Sequence, residues 1–367
     1  MKKLQKVEDD TWFKAPWLFA ECYMYRRIRT YFAESKYFKN FDPFKKQKDD
    51  TFKSSKASVI QLAKAQENLI KKHNQGSNEI KIEESLEIMF LEMLQMSLWG
   101  NATDLSLLVD LDYEDVQKLQ SVGKKALDES SKKIIKNDLN KVWNYIKGIK
   151  NGRIDIVLDN AGYELYTDLI LAEFLIECTP FASKVVFHPK TIPWFVSDVL
   201  QTDMPELLNQ LSDENFFGER NEEVLNLSNR WKSYFNNGKF ELSVPSTQNL
   251  GVESNEGKAD FWVTPYPYCF LPEISPRLLH DLKQSSLVIF KGDLNYRKLT
   301  SDALWDSTTP FKTALGPLAS QFPLLSLRTN KADVIVGLDH GIPQQLESEG
   351  DLDWRVSGKY AVVSFDN

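Results

Sequence analysis

The spacing of apolar residues divides the chain into two regions. From Trp12 to about residue 148, apolar positions recur at helical steps, which predicts amphipathic helices over 12–32, 54–73, 79–99 and 132–147. From Arg153 onward, short β-branched and Leu-rich runs alternate with helical patterns, which is typical of an α/β arrangement. The predicted strands are 154–158, 184–188, 286–290, 323–327, 332–336 and 360–364.

Several of these runs are apolar at nearly every position, as expected for strands that are covered by helices on both faces. We therefore predict an α/β fold, a three-layer α/β/α sandwich with a mostly parallel or mixed sheet over residues 151–367. An all-α N-terminal domain is predicted over residues 1–150. Residues 200–260 are polar and helix-like, and we expect them to form a helical insertion or cap.

Polar side chains gather directly after the predicted strands. Asp159 and Asn160 follow the first strand and Asp198 lies a short loop beyond the second, while 291–297 and 328–331 follow two later strands. Each group alone has an ordinary explanation as a helix cap, an exposed helix position or a solvated loop. If the strands share one polarity, however, all four groups lie at the edge of the sheet where ligands bind in doubly wound folds.

The chemistry of these residues fits a metal and a phosphate. Two carboxylates and an amide carbonyl, from Asp159, Asp198 and Asn160, form a hard oxygen-only set suited to Mg²⁺ or Mn²⁺. Lys and Arg side chains at the same edge, among them Lys291 and Arg328, supply charge-assisted hydrogen bonds to a phosphate. These residue types predict a metal-dependent phosphatase with a small-molecule substrate.

Composition and missing motifs narrow the class further. The net charge of −7 argues against a broad nucleic-acid or anionic-membrane surface. The first ten residues have no apolar core for a signal peptide, and no run of about 18 apolar residues exists to cross a membrane, so we predict a cytoplasmic or nuclear protein. There is no Gly-x-x-x-x-Gly-Lys loop, Gly-x-Gly-x-x-Gly turn or Gly-x-Ser-x-Gly elbow, which disfavours nucleotide kinases, dinucleotide enzymes and α/β-hydrolases.

An ordered set of short motifs runs nearly the whole length of the chain: residues 12–23, 42–44, 99–101, 158–164, 190–198, 291–297 and 328–331. With these motifs the chain resembles the DUF89 family of damage-control phosphatases, in its eukaryotic branch with an Arg-Thr-x-Lys signature, here residues 328–331. Family members usually have more helical sequence before the first motif, so we expect part of the N-terminal helical region to be absent or rearranged.

The resemblance implies a role for each matching residue. Asp159, Asn160 and Asp198 match the metal-ligand positions of the family, and Glu164 matches a further acidic site residue. The metal implied is Mn²⁺ or Mg²⁺, with Co²⁺ or Ni²⁺ as substitutes, and the substrates implied are sugar phosphates such as fructose 1-phosphate and fructose 6-phosphate. The substrate-phosphate positions match Leu294, Asn295, Tyr296, Arg297, Lys298 and Lys331, and the signature adds Thr329.

The mechanism that we expect is direct attack on phosphorus, with Lys331 and Arg297 neutralising the developing charge. Asp198 or Asp293 would orient or deprotonate the attacking water, and an aspartyl-phosphate on Asp159 is the less favoured route. Two other functions stay open. One is an S-adenosylmethionine-dependent protein carboxyl methyltransferase, although only one glycine follows the first strand; the other is a non-catalytic sugar-phosphate sensor. The sequence leaves the oligomeric state undecided.

Overall fold

The structure is a computed structural model that describes residues 11–74, 83–100, 131–252 and 259–367. Its centre is a seven-stranded sheet with the order β1-β7-β6-β5-β2-β3-β4. All neighbouring pairs are parallel except β6 and β7, which are antiparallel, so the sheet is mixed. The strands are β1 Ile134–Asn137, β2 Gly152–Val157, β3 Ala182–His188, β4 Phe240–Leu242, β5 Leu287–Lys291, β6 Leu324–Thr329 and β7 Ala361–Asp366.

Fourteen α-helices lie within the described ranges, and none of them is long and apolar enough to cross a membrane. The first four precede the sheet: α1 Trp17–Glu34, α2 Lys45–Ser54, α3 Lys56–Asn74 and α4 Glu83–Trp99. The others are α5 Leu139–Ile146, α6 Tyr163–Glu177, α7 Asp203–Ser212, α8 Glu214–Phe217, α9 Glu222–Asn237, α10 Leu271–Ile274, α11 Pro276–Leu282, α12 Gly292–Leu299, α13 Phe311–Leu315 and α14 Ile342–Ser348.

Alternating side chains of the strands face two separate hydrophobic layers. In β5, Leu287 and Ile289 join a cluster with α3, α4, α6 and α9, whereas Val288 and Phe290 join a second cluster with α11 and α13. This alternation follows from the two-residue period of a strand. Helices therefore cover both faces of the sheet, and the predicted three-layer α/β/α sandwich is confirmed.

Two of the predicted elements are wrong. Residues 332–336 form no strand; they are coil, exposed at Asp333 and buried from Val334 to Val336. Their main-chain groups bond to side chains, with Arg328 Nη1 donating to the carbonyl of Val334 and Tyr296 Oη accepting from Val336 N–H. The predicted helix 132–147 is strand β1 followed by helix α5. Asn137 Oδ1 accepts from Leu139 N–H at 3.0 Å, and this local turn starts the helix later than the apolar spacing indicated.

The predicted division of the chain near residue 150 stays a prediction, and strand β1 lies on its N-terminal side. The short strand β4 falls inside the predicted helical insertion, where α7, α8 and α9 account for about half of the segment. The five parallel strands β4, β3, β2, β5 and β6 end at the same edge of the sheet. This shared carboxyl edge is what brings the predicted polar groups to one side of the molecule.

Candidate active site

Main-chain hydrogen bonds join the end of β2 to the loop that follows β3. Val199 N–H donates to the carbonyl of Asp159 at 2.8 Å, and Ala161 N–H donates to the carbonyl of Ser197 at 2.7 Å. Asn160 and Asp198 face each other as an isolated antiparallel bridge between these bonds. The three residues predicted as metal ligands are thus held side by side by backbone pairing.

The loop that carries Asp198 contains a tight turn with two left-handed residues. Phe195 has φ 43° and Val196 has φ 66°, a conformation that costs a side-chain-bearing residue roughly 1–2 kcal/mol. Tyr25 of α1 packs on this turn, with ring centroids 5.1 Å from Phe195 and 5.9 Å from Trp194. We infer that aromatic packing from the helical region supports the turn that places Asp198.

Asp159 lies directly against the first residue of α12. A Cβ atom at Gly292 would come within 1.9 Å of Asp159 Oδ2, and Gly292 has φ +83°. Only glycine meets both conditions, because it has no Cβ and adopts positive φ freely. The close approach of these two residues connects the end of β2 to the end of β5.

Three buried carboxylates, from Asp159, Glu164 and Asp198, form what we call the acidic cluster. Asn160 Nδ2 donates to Asp159 Oδ2 at 2.7 Å and to Glu164 Oε2 at 2.8 Å, so one amide holds two acids together. Burial, followed by repulsion from Glu164 and Asp198, raises the pKa of Asp159 well above its usual range. The cluster is therefore a buried site in which acids repel one another.

Asp198 is equally enclosed. Burial raises the pKa of Asp198 to about 6, against the lowering effect of Lys190. Asp198 Oδ2 is buried and accepts no hydrogen bond in the described structure, although Lys190 Nζ lies 3.4 Å away. A buried carboxylate oxygen without a donor is an electrostatic cost that a bound cation would relieve.

This donor set fits a divalent cation. Asp159 and Asp198 offer carboxylate oxygens, and Asn160 offers an amide oxygen that accepts a hydrogen bond from Ser197 Oγ at 2.5 Å. Such oxygen ligands suit Mg²⁺ and Mn²⁺. In the described ranges no group of three or more His, Cys, Asp and Glu has a metal-holding arrangement, and the predicted set has only two acids among its three members.

Lys331 and Asp293 lie at the same edge as the acidic cluster. Lys331 is exposed, and its charge is close enough to lower the pKa of Asp159. Asp293 Oδ1 accepts from Lys331 N–H at 3.2 Å and from Arg328 Nε at 2.7 Å. Asp293 thus ties the start of α12 to the loop that carries Lys331.

Arg328 is completely buried and organises that loop. Its Nη1 donates to the carbonyl of Val334 and its Nη2 to the carbonyl of Ala332, each at 2.7 Å. Its guanidinium also lies 4.5 Å from the ring centroid of Tyr296. In this arrangement Arg328 fixes the position of Lys331, and its predicted contact with substrate remains a prediction.

Most side chains of the predicted segment 294–298 face the interior. Asn295 Nδ2 donates to the carbonyl of Lys291 at 2.7 Å, and Leu294 joins an apolar cluster with α1. Lys298 Nζ donates to the carbonyl of Thr264 at 2.6 Å, and burial lowers the pKa of Lys298 to about 8. Arg297 pairs with both carboxylate oxygens of Asp302, at 2.9 and 2.8 Å.

Lys291 and Thr329 are buried at the ends of their strands. Lys291 Nζ donates to Asp168 Oδ1 and to the carbonyl of Ser97, each at 2.6 Å, and lies 3.4 Å from Glu164. Its ammonium therefore neutralises α6 acids from inside the protein. The predicted substrate roles of Lys291 and Thr329 stay predictions.

Three residues at this edge were missed by the sequence reasoning. Lys190 is fully buried beside Asp198, Ser197 donates to Asn160, and Gly292 makes room for Asp159. Lys190 follows the second predicted strand by two residues, so the strand-end argument that selected Asp198 applied to it as well. All three lie inside the motifs 190–198 and 291–297, but none of them was given a role in the site.

The fold and this edge define a class: a three-layer α/β protein with a buried acidic site beyond the carboxyl ends of its parallel strands. The family model of the damage-control phosphatase ARMT1-like domain matches residues 1–345. The chain belongs to this phosphatase family.

Curated relatives agree with this assignment. The chain is 37% identical over 365 residues to damage-control phosphatase ARMT1 of Danio rerio, covering 97% of this chain and 75% of that protein. It is 36% identical over 364 residues to damage-control phosphatase ARMT1 of Homo sapiens, with the same coverage of 97% and 75%. A DUF89 family protein from Pyrococcus horikoshii has 13% identity and a TM-score of 0.35 over 88% of this chain and 98% of that one, too distant to carry an argument.

Proposed function

We propose that this chain is a divalent-metal-dependent phosphatase that hydrolyses small phosphorylated metabolites, with sugar phosphates such as fructose 1-phosphate and fructose 6-phosphate as substrates. Asp159, Asn160 and Asp198 would hold the metal, and Mn²⁺ or Mg²⁺ suits their oxygen atoms best. The observation that carries the proposal is the acidic cluster. Burial, followed by repulsion from Glu164 and Asp198, raises the pKa of Asp159, and a bound cation would offset both effects.

Groups that favour a phosphate lie beside this cluster. Lys331 is exposed at the same edge, and α12 begins at Gly292, against Asp159. The first turn of a helix has main-chain N–H groups without intrahelical partners, and these groups bind anions well. Since Leu294 and Asn295 turn their side chains inward, we propose that this part of α12 contacts the phosphate through its main chain.

For hydrolysis, the chain must hold the phosphate and orient a water for in-line attack. Lys331 and Arg297 would neutralise charge on the phosphoryl oxygens, and Asp293 or Asp198 would orient or deprotonate the water. A bound divalent cation would act as a Lewis acid toward a phosphoryl oxygen. Of the two candidate bases, Asp293 is the more accessible, with 16% of its side chain exposed against 2% for Asp198.

The direct test is a phosphate-release screen over hexose, pentose and triose phosphates, with Mn²⁺, Mg²⁺, Co²⁺ and Ni²⁺ compared against chelator. We expect release from sugar phosphates that depends on added metal. Equal release in chelator, or none from any phosphate ester, would contradict the proposal.

Lys331→Met tests the phosphate contact separately. Loss of one charge-assisted contact should raise KM for a sugar phosphate by about tenfold or more, while the melting temperature stays unchanged because this side chain is exposed. Lys312→Met is the matched control, since Lys312 is 62% exposed on α13 and lies outside the edge described. Equal KM values for the two variants would remove Lys331 from the phosphate site.

Binding titrations, combined with the phosphate-release screen, distinguish the other two functions. Tight calorimetric binding of S-adenosylmethionine together with no metal-dependent phosphate release would favour the methyltransferase. Binding of a sugar phosphate without product formation would favour the sensor.

A further inference from the structure

Lys190 is a lysine without exposed surface at the carboxyl edge of the sheet. Its Nζ donates a hydrogen bond of 2.7 Å to the carbonyl of Leu158 and lies 3.4 Å from Asp198 Oδ2. Leu158 directly precedes Asp159 in the chain. One ammonium group therefore contacts both segments that carry the acidic cluster.

The backbone keeps this side chain where it is. Lys190 N–H donates to the carbonyl of Val199 at 2.7 Å, and Lys190 forms a parallel bridge with Leu200. Because the partners of its backbone directly follow Asp198, the lysine and the carboxylate belong to one small rigid unit. The ammonium group is thus placed by local pairing, close to the acids.

Burial of an ammonium group is costly unless an opposite charge accompanies it. Two acids accompany Lys190: Asp198 Oδ2 lies 3.4 Å from its Nζ, and Asp159 directly follows Leu158, whose carbonyl accepts from that Nζ. Another buried ammonium, that of Lys298, is also near enough for Lys190 to lower its pKa. A neutral side chain of similar length would fill the same space without the repulsion between the two ammonium groups. The positive charge of Lys190 is therefore not explained by packing.

We infer that Lys190 is the internal counter-ion of the acidic cluster: it holds the carboxylates of Asp159 and Asp198 together before a divalent cation binds, and it competes with that cation afterwards. This inference rests on the proposed metal site. The Lys190 ammonium group and a divalent cation would neutralise the same carboxylates. Each makes the electrostatic potential of the cluster less negative and so weakens the attraction of the cluster for the other.

A counter-ion and a purely positioning residue predict opposite effects on metal binding. If Lys190 only orients Asp198, then its loss misplaces a ligand and weakens the affinity for metal. If Lys190 competes with the cation, then its loss leaves the cluster more negative and strengthens the affinity. The sign of the change in Kd decides between the two roles.

The experiment measures Lys190→Met in the full chain, by melting temperature in chelator and in saturating Mn²⁺, and by calorimetric titration with Mn²⁺. In chelator we expect the melting temperature to fall by roughly 5 °C, because buried carboxylates lose their counter-ion. In saturating Mn²⁺ most of that loss should disappear. The Kd for Mn²⁺ should fall about tenfold, and Lys190→Arg should restore wild-type behaviour in part because it keeps the charge.

Arg230→Met is the control. Arg230 is a partly buried cation, its Nε lies 2.8 Å from Glu173 Oε1 near the end of α6 opposite Glu164, and its loss should lower the melting temperature equally with and without Mn²⁺. The inference is overturned if Lys190→Met binds Mn²⁺ more weakly, loses the same stability in both conditions, or fails to fold in both. If Mn²⁺ does not stabilise the unaltered protein, then the proposed metal site fails instead.

Discussion

Helix α6 carries buried acids at its two ends, and their surroundings are opposite in kind. Near the C-terminal end, Glu173 has no exposed surface and accepts from Arg230 Nε at 2.8 Å and from Gln66 Nε2 at 3.1 Å. Near the N-terminal end, Glu164 shares the amide of Asn160 with Asp159, another acid. One end is a neutralised ionic network, and the other is a group of acids that repel each other.

Asp168, between them on α6, shows the intermediate case. It accepts from Lys291 Nζ at 2.6 Å and from Ser97 Oγ at 2.7 Å, yet burial still raises its pKa to about 6. Burial alone therefore does not separate a structural acid from a functional one. What separates them is whether other acids crowd the group. Asp159 is repelled by Glu164 and Asp198, whereas Glu173 is held by Arg230 and Gln66, and crowded like charges favour the binding of a cation.

Asp159→Asn should have the largest effect on the acidic cluster at the N-terminal end of α6. With one metal-ligand carboxylate removed, metal-dependent phosphate release should fall by about 10³-fold. The melting temperature in chelator should not fall, because the change removes one of several repelling charges. Near-normal turnover would mean that the acidic cluster is not the catalytic site.

Glu173→Ala should instead lower the stability of the protein, because it disrupts the ionic network near the C-terminal end of α6. The change leaves Arg230 partly buried without one of its two acids, so the free energy of unfolding should drop by about 4 kcal/mol in a urea titration. Turnover per folded molecule should be unchanged. Glu241→Ala, which removes an exposed pair with Lys184, should cost less than about 1 kcal/mol; equal losses for the two variants would refute the distinction.

Gly292→Ala tests how tightly α12 packs against Asp159 in the acidic cluster. The added Cβ would collide with Asp159, and a displaced carboxylate should lower kcat/KM by about 10²-fold. Gly238→Ala is the control, because Gly238 has φ +77° at the end of α9 with no atom within 4 Å of an added Cβ. Both variants should lose about 1 kcal/mol of stability from positive φ, and a comparable loss of activity in Gly238→Ala would contradict the collision.

Glu92 in α4 extends the comparison to a buried acid whose pKa is shifted by burial alone. Burial raises its pKa from 4.5 to about 8, and Oε1 has no hydrogen-bond partner within the part of the chain described. The folded protein therefore favours the protonated form of Glu92. The free energy of unfolding that this residue contributes is complete below pH 4.5 and is lost as the pH rises through about 8.

Glu92→Gln should therefore stabilise the protein by on the order of 4 kcal/mol at pH 8 and by almost nothing at pH 4.5. Urea titrations of both proteins at these two pH values would measure the difference. A gain that does not depend on pH would show that the carboxyl group is not protonated in the folded protein.

Much of the architecture followed from local patterns. Apolar runs predicted five of the strands, and helical spacing predicted α3 and α4, because strands and helices impose their own periods on the sequence. The run 332–336 misled the prediction because side chains of Arg328 and Tyr296 satisfy its backbone in place of a neighbouring strand. Such long-range partners leave no local mark in the sequence.

The sequence alone determined the helical spacing before residue 148 and the alternation of strand and helix patterns after it. It also determined the α/β class and the groups of acids, amides and bases after the strands. Only the tertiary structure decided that Asp159, Glu164 and Asp198 share one buried site, that Arg328 holds a loop, and that Lys190 contacts both acidic segments. The physical reason is that spacing encodes how one element packs, whereas the charge balance of a site depends on strands that meet only after folding.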